Sequence, residues 1–488
     1  MTIDLRWPFV QAMASIVVTC ANAQFPLSLD TMFRTLVQDQ YVSSLLLLPD
    51  GNVLLSGAIR FPGDMSVRAG ARLDPFGTKD PSFPAVVYMG GKITPWADRL
   101  YVGNGPGLRR MWMNGLLDNS FNMVDAPYFS ALQGGDYHVF PDGRVLMSGA
   151  HMLDYPAGGY DGLYNLIWFT NTGYLDTTRV HRKGNGVVYR FEELPDGKFI
   201  CGGTCTVFDS TEVDWIFRVH PDGSVDTTFN TGVNWGGPRC YLPLSDGRVY
   251  AGGNFRRAGF PNDTLRLVRF MPDGTLDPAF NAPSFTLGAI PSNGLGGFVF
   301  TVQQWGSDQL MVTGRFQFVD GQMRKGLCVL DTTGALMDEF DGCGVDLATY
   351  MGSTTASVSG LVQDADSTHY YIWGRYNGYE DGTTNDTLQR FVTRLHVGDI
   401  TTGLAHKPAL QWSVYPNPTS GAVTLALDAL PRNATIVVRD ALGRGVLHRT
   451  LRDHYTTLDL QALGNGIYSM ELYSDHERVG TQRVVVQR

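Results

Sequence analysis

The fold is decided by the stretch Leu242-Pro-Leu-Ser-Asp-Gly-Arg-Val-Tyr-Ala-Gly-Gly-Asn-Phe255, which a spacer joins to Leu267-Val-Arg-Phe-Met-Pro-Asp-Gly-Thr-Leu-Asp-Pro-Ala-Phe-Asn281. Each half is an apolar run broken by an Asp-Gly pair. Asp-Gly suits a tight turn, because Gly tolerates positive φ and Asp bonds its own backbone. The stretch therefore predicts two tight hairpins, that is, four short antiparallel strands.

This four-strand unit recurs along most of the chain. Each copy has a first hairpin turn and, a few residues later, a glycine that permits close backbone approach where sheets converge. Seven turns with seven following glycines predict a radial array of four-stranded sheets. The turns are Asp50-Gly51, Asp98-Arg99, Asp142-Gly143, Asp196-Gly197, Asp246-Gly247, Ser307-Asp308 and Asp366-Ser367, and the glycines are Gly57, Gly103, Gly149, Gly203, Gly253, Gly314 and Gly374.

A second turn and a short Asp-x-x-Phe strand follow in most copies. The last copy ends at Phe391–Gly398 without such a strand, whereas Leu29–Phe33 contains one out of order. We expect Leu29–Phe33 to supply the missing outer strand, because a ring closed by its own N-terminus has no exposed edge. The predicted fold class is therefore all-β, a seven-bladed β-propeller closed by an N-terminal strand, with six or eight blades as the alternative. The other Asp-x-x-Phe segments are Asp80–Phe83, Asp118–Phe121, Asp226–Phe229 and Asp277–Phe280, with degenerate versions at Asp176–Arg179 and Met337–Phe340.

The repeat resembles the delta-sixty family of bacterial propeller repeats. The family pattern is Leu-Pro-Asp-Gly-Lys-x-x-x-x-Gly-Gly-x-Phe followed by Asn/Pro-x-Asp-Gly-x-Leu-Asp-x-x-Phe. Leu194–Phe229 and Leu242–Phe280 match it best, and the resemblance covers roughly residues 29–398. It implies a secreted or surface propeller and no defined activity.

A different domain follows a linker at residues 401–412. Residues 413–488 alternate short apolar runs with turns, which predicts a small antiparallel β-sandwich of the immunoglobulin-like kind. Its motifs, in order, are Tyr415-Pro416-Asn417-Pro418 with Gly421, Asp440 with Gly443-Arg444, Gly466 with Tyr468, and the basic C-terminal residue Arg488.

In these motifs the domain closely resembles the type A C-terminal sorting domain of type IX secretion cargo in Bacteroidota. The resemblance implies handling by the type IX secretion machinery and transport across the outer membrane. It also implies removal of the domain, followed by release of the protein or its attachment to the outer cell surface. The alternative is an ordinary adhesive sandwich domain.

The N-terminus has the features of a secretory signal. Arg6 precedes the apolar stretch Trp7–Cys20, and Ala21-Asn22-Ala23 is a small-x-small site. The stretch is too short to span a membrane, so we predict no transmembrane segment. We expect cleavage between Ala23 and Gln24, with lipidation at Cys20 as the alternative. The predicted domains are a signal peptide at residues 1–23, a propeller at 24–400, the linker at 401–412 and the sorting domain at 413–488.

Charge and cysteines narrow the function classes. A formal net charge of -9 over 488 residues argues against a nucleic-acid partner. Five of the six cysteines follow the signal, and an odd number in an exported chain suggests up to two disulfides. Cys328 and Cys343 flank one predicted hairpin and could pair, whereas buried free thiols are the alternative. Cys201 and Cys205 lack the further ligands of a zinc site, so we predict no metal and no cofactor.

The two hairpin turns of a propeller blade point to one face, so the links between strands two and three and between blades emerge on the other. We call this second side the link face. Function usually lies in such variable loops, of which the longest are Met152–Leu166, Ala282–Val299, Gly342–Val358 and Tyr376–Leu388. Exposed aromatic rings beside polar groups suit sugar stacking or a protein interface. The candidate ligand residues are Tyr155, Tyr160, Tyr164, Tyr376, Tyr379, Glu380 and Asp381, with Trp235 on an inter-blade link.

No catalytic motif is found in the sequence. Most carboxylates belong to turns, the histidines are scattered, and nucleophile-elbow, zinc-protease and phosphate-loop patterns are missing. We therefore expect a non-enzymatic, exported, monomeric propeller whose link face binds a glycan or a protein at the cell surface. The alternative is a polysaccharide hydrolase or lyase with its site in the central well. Inward carboxylates or histidines there, with one raised carboxyl pKa, would favour the enzyme.

Overall fold

The computed structural model of the chain describes residues 27–84, 86–103, 107–123, 128–288, 296–350, 353–382, 384–397, 412–427, 430–431, 433–440, 443–474 and 477–488. The predicted signal peptide, its Ala23–Gln24 cleavage site, Cys20 and residues 401–411 lie outside them. The chain divides into two compact units, residues 1–400 and 401–488. Over the described residues the protein is all-β, and no helix there is long and apolar enough to cross a membrane.

Seven main antiparallel sheets follow one another along the described part of the first unit. In each sheet the second of three main strands lies between the other two. The strands are Asp39–Leu47, Val53–Arg60 and Arg68–Leu73 in sheet one; Lys92–Trp96, Arg99–Gly103 and Arg109–Trp112 in sheet two; Phe129–Val139, Val145–Tyr155 and Tyr160–Phe169 in sheet three; Val188–Glu193, Phe199–Gly203 and Ile216–Val219 in sheet four; Val233–Pro243, Val249–Arg257 and Phe260–Phe270 in sheet five; Phe298–Trp305, Gln309–Arg315 and Leu327–Asp331 in sheet six; and Ser357–Gln363, His369–Glu380 and Asn385–Val397 in sheet seven.

Shorter strands lie in the links between these strands and sheets. Gly344–Val345 pairs with the end of the second strand of sheet seven, and a one-turn 3-10 helix at Pro156–Gly158 joins two strands of sheet three. The remaining short strands are Val207–Phe208 with Thr211–Glu212, Phe285–Thr286 with Phe318–Val319 and Gln322–Met323, and Ala348–Tyr350 with Ser353–Thr355.

In sheets one to six the predicted fourth strand is reduced to a single bridge. In sheet four Val225 forms this bridge with Val219. Asp226 then begins a turn in which its backbone C=O accepts the N–H of Phe229. The Asp226 carboxylate also accepts the backbone N–H of Thr228 at 3.1 Å. The prediction of an Asp-x-x-Phe strand is therefore wrong, because the Asp side chain bonds its own backbone and draws the chain into a turn.

The N-terminal strand Leu27–Leu29 lies at the edge of sheet seven. Leu27 pairs with Val397 and Leu29 with Leu395, in antiparallel register. The partner is the one predicted from the sequence, but the predicted Leu29–Phe33 is mostly a turn. Asp30 begins that turn and donates its backbone N–H to the C=O of Arg394 at 3.0 Å.

Apolar side chains fill the spaces between successive sheets. One core cluster joins the two ends of the series, since Val42 and Leu55 of sheet one pack with Tyr371 and Val392 of sheet seven. Phe33, which follows the N-terminal strand, belongs to the same cluster and is fully buried. Burial of one such side chain contributes roughly 1.5–3 kcal/mol, so this cluster binds the last sheet to the first.

All five cysteines of the described residues are buried free thiols. Cys328 packs in a cluster with Cys240 and Leu330, whereas Cys343 packs in another cluster with Val329. Neighbouring residues of a strand face opposite sides of the sheet, so Cys328 points away from the cluster that holds Cys343. The predicted Cys328–Cys343 disulfide is therefore wrong.

The second unit consists of two antiparallel sheets around one core. Val423, Leu425, Ile436 and Val484 are buried in that core, and they come from both sheets. The first sheet contains Trp412–Tyr415, Ala422–Leu427 and Tyr455–Asp459; the second contains Gly445–Thr450, Thr435–Arg439, Gly466–Ser474 and Glu477–Val486.

Candidate functional site

Three of the predicted ligand tyrosines are core residues. Tyr376 and Tyr379 are fully buried, and the Tyr376 hydroxyl donates to Thr393 Oγ1 at 2.9 Å. Tyr164 is also buried. The prediction that these three rings are exposed is wrong, because their loops continue as long strands of sheets seven and three and the rings face the core.

The predicted acidic residues have structural partners. Lys325 Nζ lies 2.7 Å from Glu380 Oε2. Asp381 is buried and accepts the backbone N–H of Leu29 at 2.8 Å, which anchors the N-terminal strand. Asp381 therefore does not present its carboxylate to a ligand, and the prediction is wrong for this residue.

Tyr155 and Tyr160 are half-buried on the hairpin of sheet three. The Tyr155 ring stacks on Tyr128 with 4.3 Å between centroids. The Tyr160 hydroxyl donates to the C=O of Arg179 at 2.6 Å. Both tyrosines pack within their own hairpin region, although part of each ring is accessible.

Trp235 is the predicted aromatic residue that is most exposed, with 43% of its surface accessible. The Arg256 guanidinium lies 4.5 Å from the Trp235 ring centroid. A cation over an indole face is favourable, and Trp is the best aromatic partner for it. This pair leads to a larger group of arginines on sheets five and six.

We define the arginine cluster as Arg239, Arg256, Arg266 and Arg315 together with Trp235 and Phe298. Three of its guanidinium groups surround the half-buried Phe298 ring, with centroid distances of 5.9 Å for Arg239, 5.9 Å for Arg266 and 5.3 Å for Arg315. Phe298 opens the first strand of sheet six and pairs with Arg315, which ends the second. These positions lie next to the links of the link face.

Three of the four arginines in the cluster donate hydrogen bonds to neutral acceptors. Arg256 Nε donates to Thr264 Oγ1 at 3.0 Å, and Arg315 Nη2 donates to the C=O of Gly296 at 3.0 Å. Arg266 Nη1 donates to Asn254 Oδ1. Within the described residues, no carboxylate forms an ion pair with any of the four arginines.

Positive charge in the cluster is therefore not neutralised by the described protein groups. Burial, and then the charges of Arg256 and Arg315, lower the pKa of Arg266. Burial and the charge of Arg375 lower the pKa of Arg315 in the same way. An anionic ligand would relieve this repulsion, and guanidinium groups match carboxylate, sulfate or phosphate oxygens in geometry.

Sequence reasoning found only Trp235 of this cluster. The other five residues come from five different strands of two sheets, and arginines spaced in this way resemble ordinary surface charges. The sequence does contain one signal of this cluster. Arg256 and Arg315 follow the strand-two glycines Gly253 and Gly314, and therefore lie near the link-face ends of their strands.

A second charged group lies on the first strands of sheets two, three and four. Asp136 is buried between Lys92 Nζ, 3.2 Å from Oδ1, and Arg190 Nη1, 3.0 Å from Oδ2. Burial raises the pKa of nearby Glu192, whereas the charges of Arg190 and Lys92 overcome burial and hold the pKa of Asp136 below its usual value. Asp136 is thus held between two cations, and Glu192 is the neighbouring carboxyl group whose pKa is raised.

A shallow cavity lies between the hairpin turns of sheets four and five. Leu194, Lys198, Arg218 and Leu244 are among its lining residues. Both cations bond the same carboxylate, Asp226, at 2.9 Å and 2.8 Å. Their charge is already used inside the protein, so the arginine cluster is the better candidate for a ligand site.

The sequence motifs of the second unit form hydrogen bonds that hold its strands and turns in place. The Asn417 side chain donates to the C=O of Arg483 at 2.7 Å and accepts the N–H of Val485 at 2.8 Å. Asp440 and Arg444 bond across a turn in which Gly443 has a φ of 79°. The Gly466 strand pairs with the C-terminal strand through Val486, and the Tyr468 hydroxyl donates to the C=O of Gly464 at 3.0 Å.

Residues 413–487 match the family described as a secretion system C-terminal sorting domain. The second unit is a type IX secretion sorting domain. The protein is therefore exported across the outer membrane to the cell surface or the extracellular space. In the first unit, residues 194–229 and 244–280 match a β-propeller domain of unknown function, DUF5122. These are the two repeats that the sequence predicted to be the most regular.

Solved structures of low identity align with most of the chain. The chain is similar to the extracellular domain of the two-component system BT4673 from B. thetaiotaomicron, with 10% identity, a TM-score of 0.40, and coverage of 92% of this chain and 56% of that one. It is also similar to PorZ, a surface component of the type IX secretion system of Porphyromonas gingivalis, with 13% identity, a TM-score of 0.29, and coverage of 91% and 74%. The chain thus spans just over half the length of that extracellular domain. No curated protein matches the chain.

Proposed function

We propose that the chain is a cell-surface propeller of seven blades, carried by an immunoglobulin-like sorting domain, whose link face binds an anionic glycan. The ligand assignment rests on the arginine cluster. Four guanidinium groups lie near two accessible aromatic rings, although the protein as a whole has a net charge of -9. The cluster therefore attracts anions locally, whereas the surface as a whole does not. Aromatic rings stack on sugar faces, while the arginines bind the acidic substituents.

Contacts between sheets support the count of seven blades. Arg218 of sheet four donates to the C=O of Pro272, in the turn of sheet five, at 2.8 Å. Arg394 of sheet seven makes the same contact with Pro75 of sheet one at 2.7 Å. The seventh sheet thus contacts the first as the fourth contacts the fifth, which favours a closed ring of seven. The other contacts of this kind are Arg110 with Asn171 and Arg269 with Thr332.

Binding to anionic and neutral polysaccharides tests the ligand assignment, with dextran as the uncharged counterpart of dextran sulfate. The full chain is titrated with dextran sulfate, with neutral dextran and with polygalacturonate, at low and at raised salt. We expect binding to the two anionic polymers and little binding to dextran. Salt should weaken the binding, because partly exposed charges are screened.

Variants of the cluster connect the binding to these residues. Arg266→Gln with Arg315→Gln should weaken dextran sulfate binding roughly tenfold or more, since each charged hydrogen bond contributes about 1.5–3 kcal/mol. Arg257→Gln is the matched control, because Arg257 lies on the same hairpin but contacts Phe260. Equal affinity of the double variant and the wild type would contradict the proposal. Capture of an acidic surface protein by the same arginines, with no glycan binding, would favour a protein ligand.

The second candidate function is that of a polysaccharide hydrolase or lyase. It is favoured by one observation, the raised pKa of Glu192 on the first strand of sheet four. Incubation of anionic polysaccharides with the chain, followed by size analysis, tests this function. Shortening of the polymer by the wild type and not by Glu192→Gln would support the enzyme, whereas intact polymer would favour binding alone.

A further inference from the structure

Three potential metal ligands meet where the N-terminal strand joins sheet seven. His396 Nε2 lies 3.6 Å from Asp30 Oδ1, and His369 Nε2 lies 4.0 Å from Asp30 Oδ2. The ligand atoms of the three residues all lie within 4.8 Å of one another. His369 and His396 are paired across two strands, and His396 also pairs with Ser28 of the N-terminal strand. The three side chains are therefore fixed by the sheet itself.

Two neighbouring sheets, four and five, carry a permanent cation at the equivalent position. Lys198 and Arg248 occupy the position of His369, five residues before the strand-two glycine. Lys198 Nζ lies 2.9 Å from Asp226 Oδ2 and Arg248 Nη1 lies 3.1 Å from Asp277 Oδ2. The closing sheet replaces this direct contact with imidazole groups that stand farther from the carboxylate.

His369 is oriented by contacts at one of its two ring nitrogens. Asp364 Oδ2 lies 2.9 Å and Thr368 Oγ1 lies 2.8 Å from His369 Nδ1. The other ring nitrogen, Nε2, is the one that faces Asp30. This is the usual arrangement of a metal-binding histidine, which is held by a carboxylate at one ring nitrogen and offers the other to the ion.

We propose that Asp30, His369 and His396 bind a divalent transition-metal ion of the zinc class. Nitrogen and carboxylate ligands at about 2.0–2.2 Å from zinc are separated from one another by roughly 3.3–3.5 Å in a tetrahedral site. The three ligand atoms, which all lie within 4.8 Å of one another, can reach that spacing by side-chain rotation. Asp364 supplies the carboxylate that orients a metal-bound histidine. The ion ties the N-terminal strand to both neighbouring strands of sheet seven.

Arg394 lowers the metal affinity that we expect of the site. Its Nε lies 2.6 Å from Asp30 Oδ2, and the backbone N–H of Met32 donates to Oδ1 at 2.8 Å. Each oxygen keeps a further lone pair for a metal, but the guanidinium charge opposes the cation. We therefore expect reversible binding that a chelator removes, rather than a permanent structural ion.

Metal titration of the full chain tests the site. The chain is stripped with EDTA and titrated with Co²⁺, whose visible spectrum reports coordination by protein ligands, and with Zn²⁺, followed by thermal unfolding. We expect one equivalent of metal to bind and to raise the unfolding temperature. His369→Gln and His396→Gln should each weaken binding roughly tenfold or more.

His220→Gln is the matched control, because His220 occupies the position of His396 in sheet four, where Lys198 contacts the aspartate. It should bind metal as the wild type does. Metal-free unfolding of each variant shows that it is folded before titration. The proposal is overturned if the wild type binds no metal, or if His396→Gln and His220→Gln bind it equally well. Thiolate bands in the Co²⁺ spectrum would also overturn it, because they would place the metal on cysteines.

Discussion

Asp30 and Arg394, separated by 364 residues, form the contact that Asp226 and Arg218 form across eight residues. In both pairs Arg Nε donates to Asp Oδ2, at 2.6 Å and 2.8 Å. Each guanidinium also lies over the phenylalanine that ends the Asp-x-x-Phe turn, 4.9 Å from Phe33 and 4.7 Å from Phe229. The two ends of the propeller therefore rebuild, between distant segments, a unit that the other sheets form locally.

Removing the Asp30 carboxylate should destabilise the propeller strongly. Asp30→Ala leaves the Arg394 charge without its partner, and breaking a buried ion pair from one side costs about 3–5 kcal/mol. Asp30 is 3% exposed, so solvent cannot replace the contact. Urea unfolding of the full chain should show this loss in the free energy of unfolding of the propeller.

Asp80→Ala is the matched control for this loss. Asp80 makes the same contact with Arg72, but both side chains are about one-fifth exposed and both lie in sheet one. We expect a clearly smaller loss for Asp80→Ala, because water partly replaces the pair and no distant segment is released. Equal losses for the two variants would mean that joining the chain ends adds nothing to the effect.

The sequence predicted this closure only in part. Leu29–Phe33 stood out because it repeats Asp-x-x-Phe in the wrong place, and the repeat pattern supplied its partner. The strand itself is shifted to Leu27–Leu29, because Asp30 bonds the backbone of Met32 and begins a turn. Local side-chain bonding of this kind competes with strand formation, and a repeat pattern does not reveal which of the two prevails.

The candidate sites were predicted less well than the fold. Tyr376 and Tyr379 sit in a stretch of sequence that looks like a loop, yet strand pairing extends through them to Glu380 and buries both rings. Arg266 and Arg315 meet only because sheets five and six adjoin. A turn signature acts over a few residues, whereas a ligand site depends on contacts between distant strands, which no single stretch of sequence displays.

Acid should destabilise the fold through His181 between about pH 6.5 and pH 4. Burial lowers the pKa of His181 to about 4, and its Nδ1 accepts the N–H of Trp168 at 3.2 Å. A histidine in the unfolded chain binds its proton near pH 6.5. Between about pH 6.5 and pH 4, His181 is therefore protonated in the unfolded state but not in the folded state. The free energy of unfolding should therefore fall as the pH falls, by roughly 2 kcal/mol from this residue between pH 7 and pH 5.

Urea unfolding at these two pH values, with wild type and His181→Gln, measures the effect. The variant keeps an acceptor for the Trp168 N–H but cannot titrate, so its stability should change less with pH. If the variant keeps the wild-type dependence of stability on pH, another group causes the acid sensitivity. His138 is then the first candidate, because burial also lowers its pKa to about 4.

The cysteines should react only after unfolding. Burial raises the pKa of Cys240 to about 12 and that of Cys205 to about 11, and a thiol reacts as its thiolate. Iodoacetamide should leave residues 27–488 of the native chain unmodified and should add five groups to that segment in urea without reductant. Mass spectrometry of digests counts them. If Cys328 and Cys343 alone remain unmodified in urea, the two cysteines form the disulfide that the folded structure lacks.

Export should depend on the contact between Asn417 and the last strand of the sorting domain. Asn417→Ala removes two hydrogen bonds, to Arg483 and from Val485, which together contribute roughly 1–3 kcal/mol. We expect wild-type protein on the cell surface to lack residues from about Val414 onward, while the variant accumulates inside the outer membrane at full length, because a loosened domain is recognised poorly. Cell fractionation with intact-mass analysis distinguishes the two forms. His448→Ala, at an exposed position of the same domain, should be exported normally. A retained C-terminal domain on surface material, or normal processing of Asn417→Ala, would contradict this role for the motif.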